Sequence, residues 1–273
     1  MRIVTWNVNS LRARLNRVTG FLEKSNPDIL CIQETKMENG QFEKIRCEFT
    51  ALGYSVFHHG NGPWNGVAVA SLANDSEIIQ RGFQGEDPDF GVDRKECRFI
   101  AVRVSNLVAV SAYIPNGREL GSIHMENKLL WLDSLKVNLA ALRERYQECH
   151  FLVAGDFNVA PLDSDVWDIS AFEGMTHVSD PEREKLRNLL SSGFVDLWQE
   201  NGEIGKSGFT WWDYRAGSYR RGHGMRIDLA LYSPPLAEKN HSLYIDRIWV
   251  DIAEREGEKP SDHAPLCLDA QLN

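Results

Sequence analysis

The run Phe151-Leu152-Val153-Ala154-Gly155-Asp156-Phe157-Asn158-Val159-Ala160-Pro161 constrains this chain more than any other stretch. Four consecutive apolar residues predict a strand buried on both faces, although periodicity alone leaves a short helical piece open. Gly155 ends the run, and a carboxylate and a carboxamide follow it. Asp156 and Asn158 stand two apart, so an extended chain points both side chains to the same side. One is an anionic acceptor, whereas the other both donates and accepts. The plainer alternative is an Asx-type turn after a strand, which requires no function.

The same arrangement recurs along the chain. Residues 2–6 predict a strand, followed by the polar turn Asn7-Val8-Asn9-Ser10, which suits the cap of a helix. Leu11, Leu15, Val18 and Leu22 then mark one apolar helical face ending near Pro27. Residues 28–33 predict a buried strand with Glu34-Thr35-Lys36 at its end. A short helix is expected over 41–51, and strands at 54–58, 66–70, 78–79, 99–104 and 107–113, with a tight antiparallel hairpin at Ser105-Asn106. Residues 82–96 read as a polar, acidic loop. Tyr113-Ile114-Pro115-Asn116-Gly117-Arg118 gathers a phenol, a carboxamide and a guanidinium where an ordinary Pro-Asn-Gly turn is the alternative. A long helix spans 125–146, and Asp180 is placed to cap a shorter one over 181–190 with proline first. Residues 194–198 fit helix or strand. Asp228 interrupts an apolar strand over 225–232, and carboxylates seldom sit in such runs without a partner. Asp262 and His263 precede the last strand, 266–272.

At 273 residues, with 42% hydrophobic and 25% charged residues and 8 tryptophans, the chain has material for one large core, and no linker or repeat divides it. The 5 cysteines are scattered and never in a Cys-x-x-Cys spacing, so neither a disulfide framework nor a zinc site is indicated. The start of the sequence lacks a signal-like apolar region and no run is long enough for a membrane span, so the expectation is a cytoplasmic protein with no membrane partner. A net charge of −9 opposes nonspecific binding to a polyanion. Two arginine groups, Arg12, Arg14 and Arg17, then Arg215, Arg220, Arg221 and Arg226, point to a basic face hidden by the bulk charge, although the first group also suits a solvated helix surface. Phe209-Thr210-Trp211-Trp212-Asp213-Tyr214-Arg215 pairs aromatics with arginine, a combination suited to bases, sugars and phosphate; a buried core strand competes with that reading.

Asn7, Glu34, Tyr113, Asp156, Asn158, Asp228, Asp262 and His263 thus fall in or beside strand ends, where α/β architectures gather distant side chains into one crevice. The inventory contains no serine or cysteine in a nucleophile setting, so hydrolysis by activated water fits best. Oxygen ligands without cysteine favour a hard cation, foremost Mg²⁺.

The blocks Trp6-Asn7-Val8-Asn9-Ser10, Gln33-Glu34-Thr35-Lys36, Tyr113-Ile114-Pro115-Asn116, Gly155-Asp156-Phe157-Asn158, Arg226-Ile227-Asp228 and Ser261-Asp262-His263-Ala264-Pro265 closely resemble the exonuclease III family of abasic-site endonucleases, over nearly the whole chain. The resemblance implies a four-layer α/β sandwich, two packed mixed β-sheets flanked by helices. It implies a Mg²⁺-dependent phosphodiesterase, with Mn²⁺ as a substitute, that cuts double-stranded DNA 5′ to abasic sites, with 3′-5′ exonuclease activity and cleaning of blocked 3′ ends, as a monomer. By the same resemblance Glu34 binds the metal, with Asn7, Asn9 and Asp262 nearby as direct or water-mediated support; Asp156, held by Asn158, orients or deprotonates water; and His263, paired with Asp228, contacts phosphate beside Tyr113. Asn9, Lys36, Asn116, Arg118, Arg215, Arg220 and Arg221 bind phosphate or DNA, and Trp211, Met225 and Ile227 line the abasic-sugar pocket. Met225 and Trp212 depart from some family members. The rival functions are a related phosphoesterase acting on phosphomonoesters, inositol phosphates or sphingomyelin, and a DNA-binding relative without activity.

Overall fold

The computed structural model describes residues 1–84, 96–203, 206–237 and 243–272. Its strands, in chain order, are β1 (Arg2–Asn7), β2 (Ile29–Gln33), β3 (Ser55–His59), β4 (Val67–Ser71), β5 (Ser76–Arg81) and β6 (Phe99–Val104). They continue as β7 (Leu107–Tyr113), β8 (His150–Asp156), β9 (Val195–Asp196), β10 (Asp228–Ser233), β11 (Leu243–Val250) and β12 (Leu266–Leu272). One six-stranded sheet runs β11-β12-β1-β2-β4-β3, and a second runs β5-β6-β7-β8-β10-β9. Each is mixed: β1 is parallel to β2 and β7 to β8, and their other neighbours are antiparallel.

The apolar alternation of the strands feeds three layers of core. Ile3, Ile29, Val67, Ile100, Leu152 and Leu266 meet between the sheets. On the outer side of the first sheet, Val4, Trp6, Leu30 and Ile32 pack against Leu11, Val18, Phe21 and Leu22 of helix α1 (Leu11–Ser25). On the outer side of the second, Val108, Val110, Val153 and Leu229 pack against Leu132, Leu135, Leu139 and Leu142 of a helix at Ile123–Arg145. The result is the expected four layers. β8 is buried on both faces because one side meets the other sheet and the other meets that helix.

Several expected elements shift. The helix over 41–51 is two five-residue helices, α2 (Asn39–Glu43) and α3 (Arg46–Thr50), anchored by buried Phe42 and Phe49. The long helix, α4 (Ile123–Arg145), carries its cap on Ser122, whose Oγ accepts from Met125 N–H. Helix α5 (Asp180–Leu190) is capped by Ser179 and not by Asp180, and Glu182 accepts from both the Ser179 N–H and its hydroxyl. Residues 194–198 are both strand and helix, since β9 runs directly into α6 (Leu197–Asn201). Strand β10 begins at Asp228, so the carboxylate opens the strand instead of interrupting it. Helix α7 (Ser218–Arg221) carries part of the arginine loop. β11 was not anticipated. Most of the expected acidic loop over 82–96 lies outside the described residues. Among the described residues, no helix is long and apolar enough to cross a membrane.

Candidate active site

Strand register brings the polar residues together. In the second sheet Tyr113 pairs with Asp156, and Asp156 with Asp228, so three adjacent strands present one row. In the first sheet Asn7 pairs with Gln33, which puts Glu34 one residue past the same edge. Sheet packing sets the two rows face to face. Asn7 Nδ2 joins them, donating to Glu34 Oε1 and to Asp156 Oδ2, each at 2.9 Å.

The Asx turn and the site prove to be one structure. Asn158 has φ 51, so the chain does not stay extended, and its backbone N–H donates to Asp156 Oδ1 at 3.0 Å. Asn158 thus holds Asp156, as expected, and does so through its backbone N–H. The carboxamide instead donates to Ile114 O at 2.9 Å and accepts from Asn116 Nδ2 at 3.1 Å.

His263 Nδ1 lies 2.7 Å from Asp228 Oδ2, which leaves Nε2 aimed into the crevice. Nε2 stands 3.8 Å from Asp156 Oδ2, beyond hydrogen-bond reach, so both atoms face a shared space. Thr210 Oγ1 accepts from the backbone N–H groups of Ile227 and Asp228 and fixes the start of β10. Burial disfavours charge on His263, but Asp228, Asp156 and Asp262 outweigh it and hold the imidazole up to about 10. Burial pushes the Asp156 carboxyl up to about 7, with Asp228 and Glu34 adding to the rise and His263 opposing it. Burial, then Glu34, raises the Tyr113 phenol well above its ordinary value, against the pull of Arg98 stacked 4.3 Å over its ring. One group is thus a poised base, one a cation and one a neutral donor.

The donor set suits a hard cation at Glu34. Among the described residues no three His, Cys, Asp or Glu side chains cluster as a metal cage. Glu34 Oε2 instead holds the ammonium of Lys36 at 2.7 Å, and that ammonium lies 2.6 Å from Asn9 Oδ1. A positive group between a carboxylate and a carboxamide oxygen marks a cation seat with few protein ligands, as a cation that keeps its waters requires. Asn7 stands beside Glu34, its Nδ2 donating to Oε1, while its Oδ1 accepts from Asn9 N–H at 3.0 Å. Asp262 accepts from Asn9 Nδ2 at 3.0 Å and from Trp211 Nε1 at 3.1 Å. Burial works against its charge, yet His263, Asn9 and Trp211 keep the carboxyl below its usual range.

Around this centre, Asn116 and Arg118 are exposed beside Tyr113. Trp211 is half-buried and packs with buried Met225 and Ile227, close to Val166. Arg215, Arg220 and Arg221 are exposed on the loop around α7. Arg226 is not: it is fully buried, bonded to Asp165 at 2.7 and 2.8 Å and to Asp196 at 2.8 Å, and leaves the basic face. Trp212 is buried too, under Tyr219 and Arg255, so the aromatic block splits between core and site. In the first arginine group, Arg14 and Arg17 are not a solvated surface, since they bond the carbonyls of Asn9, Pro260, Glu254, Glu256 and Glu258.

Two site residues gave no signal in the sequence. His177 Nε2 lies 3.1 Å from Asn158 Oδ1 and 3.2 Å from Asn116 Nδ2, and burial keeps its ring uncharged, down to about 3. Lys128, fully buried on α4, donates to Asn116 O at 3.2 Å, to Asn158 O at 2.6 Å and to Glu182. Neither stands at a strand end, which is where the polar pattern was legible.

A model of the endonuclease/exonuclease/phosphatase family matches residues 4–263. The chain belongs to that family. Within the family it is similar to the exodeoxyribonuclease of Bacillus subtilis (strain 168), 30% identical over 98% of each chain. Among solved structures, an AP endonuclease from Archaeoglobus fulgidus superposes with TM-score 0.86 and 33% identity, covering 100% of this chain and 99% of the other. The 3′ phosphatase NExo from Neisseria, bound to product DNA hairpin, gives TM-score 0.86 and 32% identity over 99% of both chains. This family member is a hydrolase acting on DNA, in the exodeoxyribonuclease III and AP endonuclease branch.

Proposed function

We propose that the protein is a Mg²⁺-dependent repair phosphodiesterase, with Mn²⁺ as a substitute metal, that acts as a monomer on double-stranded DNA, incising 5′ to abasic sites and processing blocked 3′ ends. The observation that carries this reading is the pairing of Asp156 Oδ2 and His263 Nε2 at 3.8 Å. A base and a cationic donor at that separation can both reach a reacting group seated alongside them, the base bonding a water and the donor a phosphate oxygen.

Asp156 Oδ2 accepts the proton of the attacking water, and the Asn158 N–H and Asn7 amide hold the carboxylate in place. His263 gives its Nε2–H to a nonbridging phosphate oxygen, with Asp228 fixing the tautomer and the ring orientation. Tyr113, kept neutral, and Asn116 are placed to donate to the same phosphate. Glu34 and Asn9 would hold the cation, which when bound supplies positive charge to the phosphate and the leaving oxygen. Trp211 over Met225 and Ile227 supplies an apolar surface for a sugar that lacks its base.

A specific observation gives 3′-end processing weight of its own. The His177 ring stands against Asn116 and Asn158, and a ring on that flank would obstruct a continuing strand more than a strand end. The test is one assay on three substrates with Mg²⁺ or with EDTA: a duplex with an internal abasic site, a duplex with a 3′-phosphate, and an intact duplex. Mg²⁺-dependent nicking of the first is expected. Absence of nicking with cleaning of the second would replace abasic incision by end processing, and inactivity on all three would remove the reading.

A further inference from the structure

Trp64 is 77% exposed, more than any other large hydrophobic side chain among the described residues. A single exposed apolar side chain is ordinary on a protein surface, so the weight falls on what this indole lines. Trp64 lines a cavity of about 460 Å³ that Tyr113 and Asn116, of the phosphate side of the active site, also line. The carboxylates there, Glu34 and Glu96, are each paired, with Lys36 and Arg98. Exposed Arg118 and His124 complete the rim, so the cavity is an aromatic face beside a cationic one.

The loop that presents Trp64 is tied to the catalytic segment. Lys36 N–H donates to Asn65 O at 2.9 Å and Thr35 N–H to Gly66 O at 3.0 Å, while Cys97 N–H donates to Asn65 Oδ1 at 3.2 Å. Gly66 has φ +111, and a Cβ there would stand 2.1 Å from Thr35 Oγ1, so the close approach depends on glycine. The residues after Glu34 therefore set the position of the indole.

We propose that Trp64 is the stacking platform of a nucleotide subsite, taking one unpaired or strand-terminal nucleobase that flanks the attacked phosphate. Aromatic faces beside cations suit this ligand, since every base offers a π-face while the rim meets its phosphate. A base within a continuous duplex has both faces covered, so the ring stacks on a base that has left the stack or ends a strand. The inference rests on the reading that the protein acts on DNA, and it adds a preference for frayed or terminal nucleotides beside the lesion.

The test uses oligonucleotides carrying 2-aminopurine at successive positions around the attacked phosphate, bound in EDTA so that no turnover occurs. The wild-type protein is expected to quench fluorescence at one flanking position, Trp64→Ala to lose the quenching, and Trp64→Phe to keep it. In steady-state assays Trp64→Ala should raise KM roughly 5- to 150-fold, the span one base–aromatic stack covers, with a far smaller change in kcat. Equal quenching by Trp64→Ala, or full retention of KM by Trp64→Leu, would overturn the stack. Because quenching is read without incision, its loss and the failure of the proposed activity are separable outcomes.

Discussion

Asn9, Glu34, Lys36, Arg118, Asn158 and His177 all hold positive φ, and all of them border the phosphate site. A non-glycine residue in that region costs on the order of 1–3 kcal/mol and persists where its surroundings over-determine it. Hydrogen bonds supply that determination here: Glu34 is held by Asn7 and Lys36, and the Asn158 N–H is locked to Asp156. The site is therefore shaped before substrate arrives. Asp156→Asn removes the base and keeps the shape, so kcat should fall about 10²- to 10⁴-fold, the usual worth of a positioned base, with DNA affinity retained; an equal loss of both, measured by turnover and by binding isotherms, would place Asp156 in binding. The two titrations have opposite signs. Asp156 works deprotonated, so kcat/KM should rise with pH through about 7. His263 works protonated, so it should fall again through about 10. Asp228→Asn should bring the alkaline limb down in pH, because the carboxylate that most raises the imidazole is gone; a pH–rate profile checks all three statements. Glu34→Gln weakens the cation seat, and a metal titration should then need a higher concentration for half-maximal activity.

At the scale of elements, Arg226 binds the turn at Asp165 to β9 at Asp196, directly beneath Met225 and Ile227. Removing it leaves two buried carboxylates uncompensated, so Arg226→Ala should cost about 3–5 kcal/mol, seen as a lowered denaturation midpoint; a change within error would show that water reaches both aspartates. Legibility in the sequence followed burial. β8 and β12 were readable because their runs are apolar and bounded by turn residues, and β12 falls on 266–272 as expected. β11 was not: it is a half-exposed edge strand whose Asp246-Arg247 step coincides with a bulge, which breaks the alternation. The break between α2 and α3 was hidden because Phe42 and Phe49 sit seven residues apart, a spacing one continuous helix would also give. Within the site, residues at strand ends were visible in short blocks, whereas His177 and Lys128 reach it from an irregular turn and a helix interior. Tertiary packing alone puts them there.

On the scale of the whole molecule, a net charge of −9 coexists with exposed Arg215, Arg220 and Arg221 on and next to α7. Acidic bulk and a basic rim orient a polyanion toward one face. DNA binding should weaken steeply with salt, and replacing one of these arginines by alanine should lower the slope of log K against log salt by about 0.9; a flat slope in the wild-type protein would remove the rim from the interface. The amide of Asn7 bonds across the sheets to Asp156, while its second bond, to Glu34, stays within its own sheet, so catalysis gauges the alignment of the two. Any slip of one sheet over the other stretches the bond to Asp156 and carries the base away from the cation seat. Heat inactivation should accordingly run ahead of the loss of secondary structure, with activity vanishing while the strands are still formed.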